Sequence, residues 1–268
     1  MADERITVTM RGHVADVRMV REDKMNALDN AMFEALVETG ERLKNERGVR
    51  AVVLSGSGRA FCAGLDTSNF QAMASGERQG GSRIIAPSRT PGGANRAQQA
   101  VMVWREIAVP VIAAVHGVAY GGGFQLALGA DIRLVAPDAK LAILEIKWGL
   151  IPDMAGIVLL KTLLRDDVVR ELTYSGRIFT GEEAKTLGLA TRVCADPYAE
   201  ALALAEEIAS KNPDAIRAAK RLLNLAPQAD QRAILRAETE EQVTLIGSPN
   251  QVEAALSGLQ KRAAVFKD

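Results

Sequence analysis

Two glycine-containing segments, FCAGLD (61–66) and AYGGGFQLALGAD (119–131), indicate the fold and the chemistry of this chain. Each follows a short apolar run, AVVLSG (51–56) and PVIAAVHG (110–117), that is typical of a buried strand. Glycine permits tight turns and a close approach of the backbone to a ligand. The second segment opens a helix, whose first N–H groups lack intrahelical acceptors and whose dipole favours negative charge. Two such N–H groups directed at one carbonyl oxygen would form an oxyanion hole.

Other kinds of site are less well matched by these segments. The GGG triplet fits neither the dinucleotide pattern GxGxxG nor the phosphate-binding pattern GxxxxGK[ST]. No Cys/His cluster in the sequence indicates a metal site. Cys62 has no histidine nearby in the sequence that could activate it, so we expect a buried small residue. His116 follows a strand, and we expect a structural role for it as well.

Composition limits the class of protein. The chain has 268 residues, 48% of them hydrophobic, which suits one large domain with or without an appendage. The 33 basic and 33 acidic residues balance, so no global charge attracts nucleic acid or an anionic membrane. Two cysteines are too few for a disulfide framework. The N-terminus lacks a signal pattern, and no apolar run reaches the roughly 18 residues of a membrane helix, so we expect a cytoplasmic protein without nucleic-acid or membrane partners.

The pattern of elements changes along the chain. Strands and helices alternate at first, and from about Pro197 the pattern is helical throughout, which predicts a core at 1–196 and a helical segment at 197–268. Residues 72–98 are rich in Gly, Ser, Arg and Gln, which indicates either a binding lid or a disordered insertion. The other predicted elements are strands at 5–10 and 14–20 around a turn at Arg11–Gly12, strands at 132–137 and 141–146, a helix at 29–44, a helix between Thr180 and Gly188, and helices at 197–211, 213–226, 230–246 and 250–266.

In this order, the segments resemble the enoyl-CoA hydratase/isomerase (crotonase) family. The resemblance runs through NALD (26–29), 51–66, 110–141, 149–156 and 176–193. It implies an α/β fold, a crotonase-like spiral of ββα units, with a C-terminal all-helical segment that assembles a homotrimer or hexamer. It also implies an acyl-CoA thioester as ligand and no further cofactor, because coenzyme A is part of the substrate.

The resemblance assigns roles to particular residues. The oxyanion donors of the family are the N–H group before the glycine of the first motif, here Ala63, and that of the middle glycine of the second, here Gly122. Asp66 has a second interpretation, as the cap of the helix that follows it. The substrate-binding positions that the resemblance implies are Met25, Ala27, Gly64, Asp66, Gly121 and Gln125.

The carboxylates leave the reaction open. Hydratases of the family use two glutamates, and this chain has Gln125 at the first position and Glu145 at the second. An amide cannot accept a proton from water as a carboxylate can. Asp153, with seven residues between it and Glu145, resembles the acid/base pair of the dienoyl-CoA isomerases, although these also carry an acidic residue at the position of Gln125.

Three functions are compatible with the resemblance, and the carboxylates rank them. The first choice is an isomerase that moves a double bond of an unsaturated acyl-CoA, using Glu145 and Asp153. The alternative is a hydratase in which Gln125 only positions the water. The third is a non-catalytic acyl-CoA- or RNA-binding member, against which the neutral charge and the two carboxylates argue.

Overall fold

Short apolar runs form the strands of two sheets in the computed structural model, which describes residues 4–69 and 89–268. The strands are β1 (Ile6–Arg11), β2 (Val14–Met19), β3 (Ala51–Gly56), β4 (Val111–Val115), β5 (Val118–Tyr120), β6 (Ile132–Val135), β7 (Lys140–Ala142), β8 (Phe179–Thr180) and β9 (Arg192–Val193). The helices are α1 (Asn30–Lys44), α2 (Arg96–Glu106), α3 (Gly122–Gly129), α4 (Gly156–Leu160), α5 (Asp166–Ser175), α6 (Gly181–Leu187), α7 (Pro197–Ala209), α8 (Pro213–Leu225), α9 (Gln231–Leu245) and α10 (Pro249–Gln260).

The larger sheet has the order β1-β2-β3-β4-β6-β9, and the smaller has the order β5-β7-β8. In the larger sheet only β1 and β2 are antiparallel. The central strands β3 and β4 are buried along their whole length, which explains their continuous apolar sequences. Because parallel strands end at the same edge of a sheet, the segments that follow β3 and β4 come together there. Cys62 pairs with Ala119 in an isolated bridge at this point.

Helices cover both faces of the larger sheet. On one face, α1 and α2 pack over a core that includes Phe33, Leu36 and Trp104. On the other face, α7 contributes Ala201, Ala205 and Ala209 to a second cluster with Val53 and Ile112. Alanine at every fourth position of α7 allows the helix to approach the strands closely. The division at residue 197 stays a prediction, although the first helix after it packs against the core sheet.

Most predicted elements are present. The hairpin forms with its turn at Gly12–His13, one residue later than predicted. Helix α1 is capped by Asp29, which accepts a hydrogen bond from the Met32 N–H. Thr180 likewise caps α6, which ends at Gly188 in a left-handed conformation.

Three predicted boundaries of helices, strands or loops were wrong. Helix α2 begins at Arg96, inside the segment 72–98, because Asn95 and Gln98 form a reciprocal capping box. The strand expected at 141–146 ends at Ala142, and Glu145–Trp148 forms a 3₁₀ turn. The last helix ends at Gln260 rather than at residue 266. Helices α2, α4 and α5 as such were not predicted, and residues 72–88 of the expected loop lie outside the described residues. In the described part of the chain, no helix has the length and apolarity to span a bilayer.

Candidate active site

The edge where the two glycine segments meet borders a cavity of about 280 Å³. Most of its wall is apolar, and among the described residues its two acidic side chains are Glu145 and Asp153. A mostly apolar cavity with a few convergent polar groups is typical of a ligand site. The described residues that line it are Phe33, Ala63, Gly64, Leu65, Thr67, Asn69, Ala97, Tyr120, Gly121, Gly122, Leu144, Glu145, Trp148, Leu150, Asp153 and Met154.

Gly64 brings the two segments into contact. Its φ of +88° lies in the left-handed region. A Cβ atom at this position would lie 2.5 Å from the carbonyl oxygen of Tyr120 and 3.7 Å from the nitrogen of Gly122. Because both the backbone angle and the contact exclude a side chain, glycine is required here. The backbone around Gly64 is thereby held close to the start of α3.

The prediction that the Ala63 N–H group is an oxyanion donor was wrong. The Ala63 N–H donates to the carbonyl oxygen of Met25 at 2.9 Å, so it is not available to a ligand. In the segment that follows, the Leu28 N–H donates to Gly64 O at 2.8 Å and the Asp66 N–H donates to Leu28 O at 3.0 Å.

An isolated bridge between Leu28 and Leu65 indicates which backbone N–H group of this segment is available to a ligand. N–H groups alternate in direction along an extended segment, and the Asp66 N–H points towards Leu28. The Leu65 N–H therefore points away from Leu28. Within the described residues, the N–H groups of Leu65 and Gly122 have no hydrogen-bond acceptor. Leu65 therefore replaces Ala63 as the candidate partner of Gly122.

Glu145 opens the 3₁₀ turn and lies against the second glycine segment. A Cβ atom on Gly121 would lie 3.3 Å from Glu145 Oε1, so this glycine makes room for the carboxyl group. Glu145 Oε1 accepts a hydrogen bond from Gln125 Nε2 at 2.6 Å. Glu145 Oε2 is buried and has no donor among the described residues. Burial, and then the negative charge of Asp153, raise the pKa of Glu145 above its ordinary value.

Asp153 begins the turn after Pro152 and faces the same cavity. Although its side chain is open to the cavity, the surrounding groups remove enough water to raise the pKa of its carboxyl group. The effect of Asp153 on Glu145 shows that the two carboxyl groups lie within electrostatic reach. The site therefore contains two carboxyl groups whose pKa values are both shifted towards neutrality, as acid/base catalysis requires.

Gln125 lies behind the cavity wall and not in it, which corrects its assignment to substrate binding. It is only 1% exposed. Its amide oxygen accepts hydrogen bonds from the N–H groups of Met154 and Gly156, both at 2.9 Å. Because its Nε2 atom donates to Glu145, the amide is engaged at both ends.

Asp66 is a structural cap, and its assignment to substrate binding was wrong. Its Oδ1 atom accepts hydrogen bonds from the N–H and hydroxyl of Ser68 at 2.9 and 2.8 Å, and its Oδ2 atom accepts one from Arg21 at 2.5 Å. Burial opposes ionisation, but the hydrogen bonds from Ser68 and Arg21 outweigh it and lower the pKa of Asp66 to about 2. The capping interpretation of Asp66 is confirmed.

Met25 and Ala27 do not line the cavity either. The Met25 carbonyl accepts from Ala63, and the Ala27 carbonyl accepts from Arg21 at 3.0 Å. These carbonyl oxygens support the first glycine segment from behind. Contact of the two residues with a ligand outside the cavity stays a prediction.

The two residues judged structural behave as expected. Burial raises the pKa of Cys62 to about 12, and its thiol donates to the carbonyl oxygen of Asn26 at 3.1 Å. A ring nitrogen of His116 forms a hydrogen bond with Gly58 O at 2.9 Å. Sequence reasoning missed the apolar wall, in particular Tyr120 at the end of the short strand β5 and Trp148 in the 3₁₀ turn, because such short elements show no periodicity.

Comparison with known proteins agrees with this geometry. The model of the family described as enoyl-CoA hydratase/isomerase matches residues 9–268. The chain is 31% identical over 264 residues to enoyl-CoA hydratase EchA19 of Mycobacterium tuberculosis, covering 97% of this chain and 96% of that protein. It is 34% identical over 231 residues to the mitochondrial Delta(3,5)-Delta(2,4)-dienoyl-CoA isomerase of Mus musculus, covering 81% and 68%. The crystal structure of enoyl-CoA hydratase from Bacillus anthracis superimposes with a TM-score of 0.88 at 29% identity, covering 98% of this chain and 99% of that one. The chain therefore belongs to the enoyl-CoA hydratase/isomerase (crotonase) family and has the fold of that family.

Proposed function

We propose that this acyl-CoA enzyme moves a double bond along an unsaturated acyl-CoA. The observation that carries the proposal is the pair of carboxyl groups, Glu145 and Asp153, in one apolar cavity beside two N–H groups that have no acceptor among the described residues. Loss of water around both carboxyl groups raises their pKa values above the ordinary ones. This direction favours groups that exchange protons with a substrate. The proposed oxyanion donors are the N–H groups of Leu65 and Gly122.

The reaction conserves every atom of the substrate. The thioester carbonyl acidifies the C–H bond beside it, and one carboxylate takes that proton. The electron pair of the broken bond moves towards the carbonyl oxygen, giving an enolate whose charge the two N–H groups stabilise. The other carboxyl group then donates a proton to a carbon further along the conjugated chain, and the double bond moves as the new C–H bond forms. Because the thioester itself acidifies the proton, the mechanism needs no metal or redox cofactor.

Water addition is the competing function, because several relatives are named hydratases. The version in which Gln125 positions the water is opposed by its hydrogen bonds, since its oxygen already accepts from Met154 and Gly156. A hydratase would have to use Glu145 and Asp153 instead. A non-catalytic binding member is opposed by the same two carboxyl groups, which both face the apolar cavity.

Incubation with 2-enoyl-, 3-enoyl- and dienoyl-CoA thioesters in deuterated water separates these functions. Isomerisation leaves the molecular formula unchanged apart from exchanged deuterium and alters the ultraviolet spectrum, whereas hydration adds the mass of one water. We expect isomerisation with deuterium incorporation at the carbon further along the chain that receives the new proton. Water addition without isomerisation would refute the proposal, and binding without either reaction would identify a non-catalytic member.

We also propose that the enzyme is a homotrimer or hexamer located in the cytoplasm, without a nucleic-acid partner. Helix α9 has no buried residue in the single chain. Its apolar side chains Leu235 and Val243 are 54% and 68% exposed, and Ile246 at its end is 66% exposed. Apolar side chains exposed together on one helix are typical of a protein interface, so contact with further copies of the chain would bury them.

A further inference from the structure

Gln125 joins the two halves of the acid/base site. From the first turns of α3, its amide donates to Glu145 Oε1 at 2.6 Å. Its other end accepts from the N–H groups of Met154 and Gly156, the residues that follow Asp153. A single side chain therefore contacts one carboxyl group directly and holds the backbone that carries the other.

We propose that Gln125 is a positioning residue that fixes Glu145 and the Asp153 turn relative to each other and limits how firmly Glu145 retains its proton. The proposal rests on the proposed function, in which both carboxyl groups exchange protons with the substrate. Gln125 does not touch the cavity, so it acts only through these two partners.

An amide suits this position better than a carboxylate for a physical reason. At 2.6 Å, a carboxylate at position 125 would face Glu145 with like charge, and one of the two groups would have to stay protonated. The neutral amide instead donates to Glu145, and this hydrogen bond favours the ionised form of that carboxyl group. The burial of Glu145 acts in the opposite direction, so the amide counteracts part of the effect of burial.

The close packing around the amide gives a second way to disturb it. A Cβ atom on Gly156 would lie 2.7 Å from Gln125 Oε1. Gly156→Ala therefore pushes on the amide without removing any polar group. Gln99 offers a matched control, because it is also buried and donates to carboxylates, Glu41 at 3.1 Å and Glu106 at 2.9 Å, but it does not line the cavity.

The test measures the titration of Glu145 directly. Carbon NMR of protein labelled at the glutamate carboxyl carbons follows each group, and the signal missing from Glu145→Gln identifies Glu145. We expect its midpoint to rise in Gln125→Met and in Gly156→Ala, because both weaken the donated hydrogen bond, and to stay unchanged in Gln99→Met. In Gln125→Glu, we expect a rise on the order of one pH unit or more, since two carboxyl groups then share the site.

Activity provides the second measurement. In Gln125→Glu, the isomerisation rate should approach that of the wild type only at low pH, where the protonated side chain donates and accepts as the amide does. An unchanged Glu145 midpoint in Gln125→Met and Gly156→Ala would overturn the inference, and if the first variant does not fold, the second decides alone. Because the titration needs no substrate, absence of isomerisation in the wild type would count against the proposed function and not against the role of Gln125.

Discussion

Replacing Gly122 by proline tests whether its N–H group stabilises the enolate. Proline removes the N–H group, and the first position of a helix is where it is best tolerated. The loss of one oxyanion donor costs about 10²–10³-fold in rate, or about 2.7–4 kcal/mol of transition-state stabilisation. We expect the isomerisation rate of Gly122→Pro to fall by that factor.

The structure also defines the control. Any side chain at position 122 meets Met154 Sδ at 2.7 Å and Leu28 Cδ1 at 2.9 Å, so Gly122→Ala suffers the same crowding but keeps its N–H group. Both contacts are with ends of flexible side chains, and overpacking of this kind costs about 1–3 kcal/mol of stability. Isomerisation kinetics and thermal unfolding of the two variants separate the effects. If Gly122→Pro is as active as Gly122→Ala, the N–H group of Gly122 does not stabilise the enolate.

Three further changes test the carboxylates, the cap and the assembly. Glu145→Gln and Asp153→Asn should each lower the isomerisation rate by about 10²–10⁴-fold. The wild-type pH–rate profile should be bell-shaped, with both midpoints above ordinary carboxyl pKa values. Full activity of Asp153→Asn would leave a single-base mechanism through Glu145. The ionised Asp66 stabilises the fold at pH values above its ordinary pKa of 3.8, and this contribution should disappear as the pH falls towards about 2. In Asp66→Asn, chemical denaturation across that range should show a smaller pH dependence of the unfolding free energy. An unchanged pH dependence would contradict the capping role. Sedimentation should give three or six times 28.7 kDa, and Leu235→Asp with Val243→Asp should favour the single chain; a wild-type monomer at micromolar concentration would refute the assembly.

The elements that could be predicted are those whose signals are local. Helix α1 has its cap at Asp29 and buried residues at Met32, Phe33 and Leu36, so the sequence contains its start and its inner face. The glycine segments were predictable because a positive φ and a contact at 2.5 Å, as at Gly64, exclude other residues.

The errors arose where a contact comes from a distant part of the chain. Ala63 and Leu65 are two positions apart in the sequence. The Ala63 N–H group is unavailable to a ligand because it donates to the Met25 carbonyl oxygen. The partners of the Gln125 oxygen lie 29 and 31 residues away, so its position behind the wall could not be read from α3 alone. The same applies to Asp66, whose hydrogen bond with Arg21 spans 45 residues.

The environment of Glu145 connects the stability of the fold with its chemistry. Its Oε2 atom is buried without a donor in the described residues, and an unsatisfied buried polar group costs about 1–3 kcal/mol, more when it is charged. The other buried side-chain atoms in this condition belong to Asp16, Gln99 and Thr173, and among these described residues only Glu145 lines the cavity. A structure that breaks a packing rule usually does so at a functional site. Protonation of Glu145 lowers this cost, because burying a neutral carboxyl group costs less than burying an ionised one. The fold therefore favours the protonated form of Glu145, and the hydrogen bond from Gln125 keeps the ionised form within reach, as a group that both accepts and returns a proton requires.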